Sequence, residues 1–155
     1  NASDRDLEYF INELRNIGRP VVLVFFGDHQ PSIAAALNDE LYPQEDTASH
    51  AFRIHQSTYF VWANYEIAGN TELNVYDTVG ANEIAAIALN KIGAPLTDYQ
   101  KALLATRSDV PTINVAGYLG ADGLRYDLES EDSPYTSTID KLRRVQYLEF
   151  ATKVQ

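Results

Sequence analysis

Two side chains that could bind a metal ion stand next to each other in the sequence. Asp28 and His29 directly follow the apolar segment VVLVFFG, which runs from Val21 to Gly27. A carboxylate oxygen and an imidazole nitrogen together suit zinc, manganese or iron better than calcium. We therefore predict that Asp28 and His29 are ligands of a divalent metal ion. The alternative is that Asp28 caps the following turn and that His29 is an ordinary polar loop residue.

The elements around this pair must bring both side chains to one place. Residues 21–26 are apolar and mostly β-branched or aromatic, which predicts a strand buried on both faces. Such strands belong to parallel sheets covered by helices, and ligands bind beyond the carboxyl ends of those strands. Gly27 should allow the backbone turn that directs Asp28 and His29 into one site. A helix from Ser3 to about Ile17 is expected before the strand, with an apolar stripe of Leu7, Phe10, Ile11, Leu14 and Ile17.

The remainder of the chain is consistent with one α/β unit that spans residues 1–155. Thr97 and Gln100 have the spacing of a capping box, which predicts the start of a helix. Residues 38–49 are polar and acidic and are expected to form a surface loop. The other predicted elements are a strand at 57–65, helices at 81–92, 97–106 and 137–151, and a C-terminal hairpin of strands at 112–118 and 124–128 around a turn at 120–123.

The composition excludes several classes of site and partner. The 155 residues carry a net charge of −10 and have no basic stretch longer than Arg143-Arg144, so a nucleic acid is not an expected partner. The absence of cysteine excludes disulfides, a thiolate nucleophile and zinc sites built on cysteine. No apolar stretch reaches the length of a membrane span, and no signal peptide is recognisable. Since the sequence also lacks methionine, we expect residues 1–2 to be the remnant of an expression tag and the chain to be a piece of a longer protein.

Several segments, in this order, resemble the C-terminal part of a known enzyme domain. VVLVFFGDHQPS followed by STYFVWANY resembles the lipoteichoic acid synthase-like sulfatase domain of Gram-positive phosphoglycerol transferases, in the alkaline phosphatase and sulfatase superfamily. The resemblance covers nearly the whole chain, because SDRDLEYFINELRNIGRP, ANEIAAIALNKIGAPLTDYQKAL, INVAGYLGADGLRY and RVQYLEF are similar to the helices and the hairpin region of that family. It implies a truncated sulfatase-like sandwich, with mainly parallel buried strands flanked by helices.

The resemblance also implies a metal and a reaction. In the family, the matching aspartate and histidine bind a divalent ion, often manganese, which assigns that role to Asp28 and His29; zinc, magnesium and calcium remain alternatives. The family's threonine nucleophile, a further acidic ligand and a phosphate-holding histidine lie upstream, and none of Thr47, Thr58 and Thr71 has a matching setting. We therefore expect this fragment to be inactive alone, and to bind metal weakly or not at all because two ligands rarely hold such an ion tightly.

The implied setting of the parent protein is the outer face of a Gram-positive cell membrane. Membrane helices upstream of this chain would anchor it there. Its substrate would be a glycerophospholipid, or more generally a phosphate or sulfate ester, and glycerol phosphate would be moved onto a lipoteichoic acid-type cell-wall polymer.

Other polar and aromatic residues are weaker candidates for the site. His55, Trp62 and Asn64 are predicted to line a substrate groove, because they lie in or next to the second predicted strand. The alternative for His55, and for His50 nearby, is an exposed or partly packed loop histidine. The alternative for Trp62 is a core aromatic side chain. The acidic residues at 122–132 lack the alternating spacing and central glycine of a calcium loop, so a solvated surface is the better interpretation.

Three other functions remain open from the sequence. A sulfatase or phosphodiesterase of the same superfamily would share the metal ligands and pass the group to water. A non-catalytic module that binds a cell-surface polymer or protein would need no metal. A structural lobe that completes another sheet would expose an apolar edge, which predicts self-association through the truncated sheet.

Overall fold

Two small antiparallel sheets and six α-helices make up the described part of the chain. The computed structural model describes residues 2–67 and 78–151. Short 3-10 turns at Ser32–Ala34 and Ala81–Glu83 lead into the second and fourth helices. The elements in chain order are α1 (Ala2–Arg15), β1 (Val22–Phe26), α2 (Ala35–Leu41), α3 (Thr47–Ile54), β2 (Tyr59–Ala63), α4 (Ile84–Lys91), α5 (Asp98–Thr106), β3 (Thr112–Asn114), β4 (Gly117–Leu119), β5 (Arg125–Tyr126) and α6 (Thr136–Ala151).

The expectation of mainly parallel strands is wrong for the described residues. β1 pairs antiparallel with β2, in a register that sets Val22 opposite Ala63 and Phe26 opposite Tyr59. The strand is also less buried than predicted, since Phe25 is 39% exposed and Phe26 56% exposed. A continuous apolar run predicts burial by some covering layer, but it does not define strand direction. Here residues 27–58 return the chain beside β1 in the opposite direction.

The prediction of a polar surface loop at residues 38–49 is also wrong, because two helices occupy most of this segment. α2 continues to Leu41, and α3 begins at Thr47. Asp46 is the N-cap of α3, and its side chain accepts a hydrogen bond from the Ser49 backbone N–H at 2.9 Å. This cap satisfies an N–H that has no partner within the helix, so a polar segment can still begin a helix.

Helix α1 is the first element of the chain, as predicted, but its apolar stripe is only partly covered. Leu7, Ile11 and Leu14 are half-buried. Phe10 and Ile17 are 48% and 43% exposed. Three of the five stripe residues are thus partly covered, and two are exposed.

The C-terminal half holds the best-buried core. Val110, Tyr118 and Ile139 are 0%, 1% and 4% exposed and pack together, which joins β4 to α6. Leu103 of α5 is 1% exposed. Glu83 is also 1% exposed; its carboxylate accepts from the Gly80 N–H at 3.2 Å and pairs with Arg107. Sequence reasoning did not identify this buried ion pair.

Several local predictions in the C-terminal half are confirmed. Thr97 and Gln100 form the capping box of α5, with reciprocal hydrogen bonds of 3.2 and 3.0 Å. β4 and β5 form the hairpin, and Gly123 in its turn has a φ of +78° that suits glycine. The predicted strand at 112–118 is divided into β3 and β4, because Asn114 turns the chain by accepting the Ala116 N–H at 2.8 Å.

Candidate metal centre

Gly27 connects β1 to the loop that carries Asp28 and His29. Its N–H donates to the Thr58 carbonyl at 3.0 Å, which extends the pairing with β2 by one residue. The Ser57 side chain occupies the space where a Cβ on residue 27 would lie. Gly27 is not among the glycines with positive φ. The structure therefore gives Gly27 a steric role, because the absence of a side chain allows the close approach of Ser57.

At the end of β1, one carboxylate oxygen of Asp28 lies close to one ring nitrogen of His29. Asp28 Oδ2 lies 3.5 Å from His29 Nε2, and the two side chains are 82% and 73% exposed. Asp28 Oδ1 accepts a hydrogen bond from the His29 backbone N–H at 2.9 Å. Asp28 can therefore stabilise the turn through Oδ1 and still offer Oδ2 to a metal ion, because each carboxylate oxygen has a separate partner.

The other ring nitrogen of His29 has a partner that fixes the tautomer. Nδ1 lies 2.9 Å from the Gln30 carbonyl oxygen, which can only accept, so Nδ1 carries the proton and donates. In the neutral ring, Nε2 then carries the lone pair, and this nitrogen lies 3.5 Å from Asp28 Oδ2. Metal-binding histidines commonly donate their second ring N–H to a carbonyl or carboxylate in this way.

The spacing of the two donors fits a single metal ion. Neighbouring ligands of a tetrahedral ion with bonds of ~2.05 Å lie about 3.3 Å apart. The observed 3.5 Å between Asp28 Oδ2 and His29 Nε2 is close to that value. Within residues 2–67 and 78–151, however, no group of three or more histidine, aspartate or glutamate side chains is arranged to hold a metal. The described chain therefore offers two of the four or more ligands that such an ion needs.

Gln30 holds this loop against the two short helices. Its side-chain nitrogen donates to the Arg53 carbonyl at 2.8 Å and to the Gln56 carbonyl at 3.1 Å. Its side-chain oxygen accepts from Asn38 of α2 at 2.9 Å. The amide thus fastens the loop to both α2 and the end of α3, which fixes the backbone that positions the His29 ring.

A charged cleft of about 320 Å³ lies between α2 and α3. Arg53 donates to Glu45 at 2.7 Å and to Asp39 at 2.9 Å, and His50 lies 3.1 Å from the same Asp39 oxygen. The Arg53 hydrogen bond, and a smaller one from His50, hold the pKa of Asp39 below its usual value, although partial desolvation opposes the shift. The Arg53 guanidinium also lies 4.9 Å from the Tyr42 ring centroid, a cation–π contact. Sequence reasoning missed this cleft, because it placed these residues in a loop.

The residues predicted to line a substrate groove do not come together beside Asp28. Asn64 bridges the far end of the sheet: its side chain accepts from the Val21 N–H at 2.9 Å and donates to the carbonyls of Leu14 and Arg19 at 3.0 and 2.9 Å. Trp62 lies in the same part of β2, with the Arg15 guanidinium 6.0 Å from its ring.

His55 and the threonines occupy different positions. His55 is an exposed residue at the C-cap of α3, between Gln30's two carbonyl partners. Thr47 is the first residue of α3, and Thr58 precedes β2. Thr71 lies outside the described residues. The groove role of His55, Trp62 and Asn64 stays a prediction.

No helix in the described ranges combines the length and the apolar character needed to cross a lipid bilayer.

The fold is mixed helix and sheet, and it matches part of a solved phosphoglycerol transferase. No protein-family model matches the sequence, and no curated protein matches it significantly. Among solved structures, the chain is similar to the Streptococcus pyogenes phosphoglycerol transferase GacH in complex with sn-glycerol-1-phosphate, with a TM-score of 0.56 and 21% sequence identity. The match covers 94% of this chain and 31% of that chain, so our chain corresponds to about a third of the neighbour's length. At this identity, the likeness defines the fold.

Proposed function

We propose that this chain is the C-terminal part of an extracellular, metal-dependent phosphoglycerol transferase of the sulfatase type. It carries two of the metal ligands, and the rest of the protein carries the nucleophile. One observation supports this most directly: Asp28 Oδ2 and His29 Nε2 converge to 3.5 Å at the end of β1, in a chain that has the fold of part of a phosphoglycerol transferase. We further propose manganese as the ion and a glycerophospholipid as the donor substrate.

Each residue of the loop has a defined part in this proposal. Asp28 supplies a negative oxygen and His29 a neutral nitrogen, and the Gln30 carbonyl keeps the proton of His29 on Nδ1. Gln30 holds the loop through its side chain, so the two donors are positioned before an ion arrives. A divalent ion bound there would lower the pKa of an attacking hydroxyl and neutralise charge that develops on the transferred phosphoryl group.

The natural coding sequence upstream of residue 1 gives a first test. The proposal predicts codons for membrane helices, and for a threonine that follows another apolar strand. A start codon and a signal peptide immediately upstream would leave no room for a nucleophile. That result would contradict the transferase proposal and favour a non-catalytic cell-surface binding module.

An activity assay tests the ligand roles. The chain extended by its natural upstream sequence, given manganese and phosphatidylglycerol vesicles, should release diacylglycerol. Asp28→Asn and His29→Gln should each lower that rate by about a hundredfold or more, because a bound ion stabilises several kcal/mol of transition-state charge. Asp98→Asn is the matched control, since Asp98 is a similarly exposed carboxylate, 89% exposed, at the start of α5.

Two outcomes of this assay would contradict parts of the proposal. Equal rates in the Asp28 variant and the Asp98 control would remove the metal-ligand role. Release of free glycerol phosphate to water, with an acceptor present and unused, would identify a hydrolase in place of a transferase.

A further inference from the structure

We propose that a small cavity beside the C-terminal helix is a binding site for a primary alkylammonium group. The cavity has a volume of about 160 Å³ and lies between β4, the segment at residues 128–131 and α6. Tyr118 of β4 and Asp140 and Arg143 of α6 are among its lining residues. This inference goes beyond the proposed function, which uses the loop at the end of β1.

The hydroxyl of Tyr118 is the first sign that this cavity takes a ligand. Tyr118 is 1% exposed and lines the cavity. Its Oη is buried and has no hydrogen-bond partner among the described residues. The two tyrosines packed around it differ in this respect, since Tyr126 Oη donates to Asp122 at 2.7 Å and Tyr135 Oη accepts from the Asp122 N–H at 3.1 Å. A buried hydroxyl without a partner costs free energy, and a ligand that bonds to it removes that cost.

The charged groups around the cavity select a cation. Glu129, Glu131 and Asp140 contribute three carboxylates and Arg143 one guanidinium, which gives the lining side chains a net charge of −2. Arg143 pairs with Glu129 at 2.7 Å and also donates to the Leu128 carbonyl at 2.6 Å. Its distance to Asp140 is 3.8 Å, which is too long for a hydrogen bond. The carboxylates of Glu131 and Asp140 therefore keep acceptor positions open for a positively charged donor.

The arrangement suits an organic ammonium group better than a metal ion. In the part of the chain that the structure describes, no three histidine, aspartate or glutamate side chains converge to hold a metal. A primary ammonium carries three N–H donors, so it can bond to acceptors that do not form a metal coordination sphere. Tyr118 Oη offers one acceptor, and the carboxylates of Asp140 and Glu131 offer others. The apolar side chains of Leu128 and Ile139, in the same lining, suit the alkyl stem.

The walls of the cavity are held in place by the chain itself. Thr136 Oγ1 donates to the carbonyls of Ser130 and Ser133 at 3.0 and 2.9 Å, which fastens the residues that precede α6. Arg143 fastens the same segment from further along the helix, through the Leu128 carbonyl. The site is therefore formed before a ligand arrives, and little ordering cost opposes binding.

A nuclear magnetic resonance titration with propylammonium chloride tests the site in this 155-residue chain. The amide signals of Tyr118 and Asp140 should shift and saturate, with a dissociation constant of about 1–10 mM, as expected for a ligand this small. Propanol has a similar shape without the charge, and tetramethylammonium has the charge without N–H donors. Each of these control ligands should bind about tenfold more weakly or worse, because hydrogen bonds to a charged group are lost.

Side-chain variants assign the contacts. Tyr118→Phe removes the unpartnered hydroxyl, so it should weaken propylammonium binding by about fivefold or more and change resistance to urea little. Tyr126→Phe is the matched control, because its ring stacks on Tyr118 at 5.5 Å and its hydroxyl is already bonded to Asp122; it should leave the affinity unchanged. Asp140→Asn should weaken binding by about threefold, since its side chain is 50% exposed. Asp98→Asn, at an 89% exposed carboxylate of α5, should not weaken it.

Several results would overturn the inference. These are signals around the cavity that do not move with propylammonium, propanol that binds as tightly, and equal affinities in Tyr118→Phe and Tyr126→Phe. A large loss of stability in Tyr118→Phe would show that the hydroxyl already has a partner, and would also overturn it. Asp28→Asn should bind propylammonium as the unchanged chain does. Failure of the metal-site proposal and failure of this one are therefore observed separately.

Discussion

At the scale of single residues, the hydrogen bonds of Asn64 give this side chain a structural role. Its amide satisfies one backbone N–H and two backbone carbonyls, at Val21, Leu14 and Arg19. These three bonds join the end of α1 to the start of β1. Both N–H donors and one of the two acceptor positions of the amide are used in this way.

Asn64→Ala should therefore destabilise the fold. It leaves partly buried backbone groups without partners, which costs about 1–3 kcal/mol of unfolding free energy. Urea unfolding followed by circular dichroism measures this change. Asn16→Ala is the control, because Asn16 makes one exposed bond to the Asn12 carbonyl, at 3.0 Å, and should change stability far less. A loss no larger than that of the control would show that the Asn64 bonds do not stabilise the fold.

Tyr126 gives a second residue-scale prediction, this time for alkaline pH. Its hydroxyl donates to Asp122 at 2.7 Å, and this hydrogen bond, with some desolvation, raises the pKa of Tyr126 from 10.0 to about 12. Because this pKa is raised in the folded state, the hydrogen bond between Tyr126 and Asp122 contributes fully to stability below pH 10. Its contribution is lost as the pH rises through about 12.

An ultraviolet titration of the folded protein should show the late ionisation of Tyr126. Tyr126→Phe should remove that late step from the curve and should flatten the decline of stability between pH 10 and about 12. Asp122→Asn should move the step towards an ordinary tyrosine pKa. If the late step persists in Tyr126→Phe, another tyrosine is responsible and the assignment is wrong.

At the scale of elements, the contact between Gly27 and Ser57 determines how β1 enters the loop that carries Asp28 and His29. Gly27→Ala places a methyl group where the Ser57 side chain lies, so the last residues of the β1–β2 pairing must shift. We expect Gly27→Ala to destabilise the protein by about 1–3 kcal/mol, the range for overpacked sites. Ser57→Gly in the same chain should recover much of that loss, because it removes the atoms in conflict.

A double-mutant cycle measured by urea unfolding tests this contact. The two substitutions should be strongly non-additive, as expected for neighbours that share one space. Purely additive effects would mean that Gly27 is needed for another reason, such as backbone freedom in the loop.

Elements were predictable from sequence where a local rule acts over a few residues. The Thr97–Gln100 capping box and the glycine at residue 123 of the hairpin turn depend on neighbouring atoms alone, so the pattern sufficed. The same kind of signal, Asp46 followed by Ser49, was present for α3 and was overlooked within a polar segment. The prediction of strand direction failed for a different reason. Strand direction depends on the path of residues 27–58, and apolar periodicity carries no information about that path.

The candidate site was predictable only in part. Asp28 and His29 could be proposed from their types and position, but their 3.5 Å convergence and the role of the Gln30 carbonyl are products of the folded loop. The Arg53 cleft depends on α2 and α3 lying side by side, which the loop prediction excluded.

At the scale of the whole molecule, two features have one explanation. The chain matches about a third of a longer phosphoglycerol transferase chain. Around the loop that carries Asp28 and His29 it also exposes Phe26, Ile33, Leu37 and Leu41. The proposed function accounts for both, since a larger catalytic domain would cover this surface and complete the site proposed at Asp28 and His29.

A manganese titration of this 155-residue chain, followed by electron paramagnetic resonance, tests the metal-ligand roles of Asp28 and His29 most directly. We expect weak binding that does not saturate at one ion per chain, because the described residues bring two ligands together at this site. That weak binding should disappear in both Asp28→Asn and His29→Gln and persist in the Asp98→Asn control. A titration that saturates sharply at one ion per chain, or binding that survives in Asp28→Asn, would contradict the assignment of Asp28 and His29 as half of a metal site.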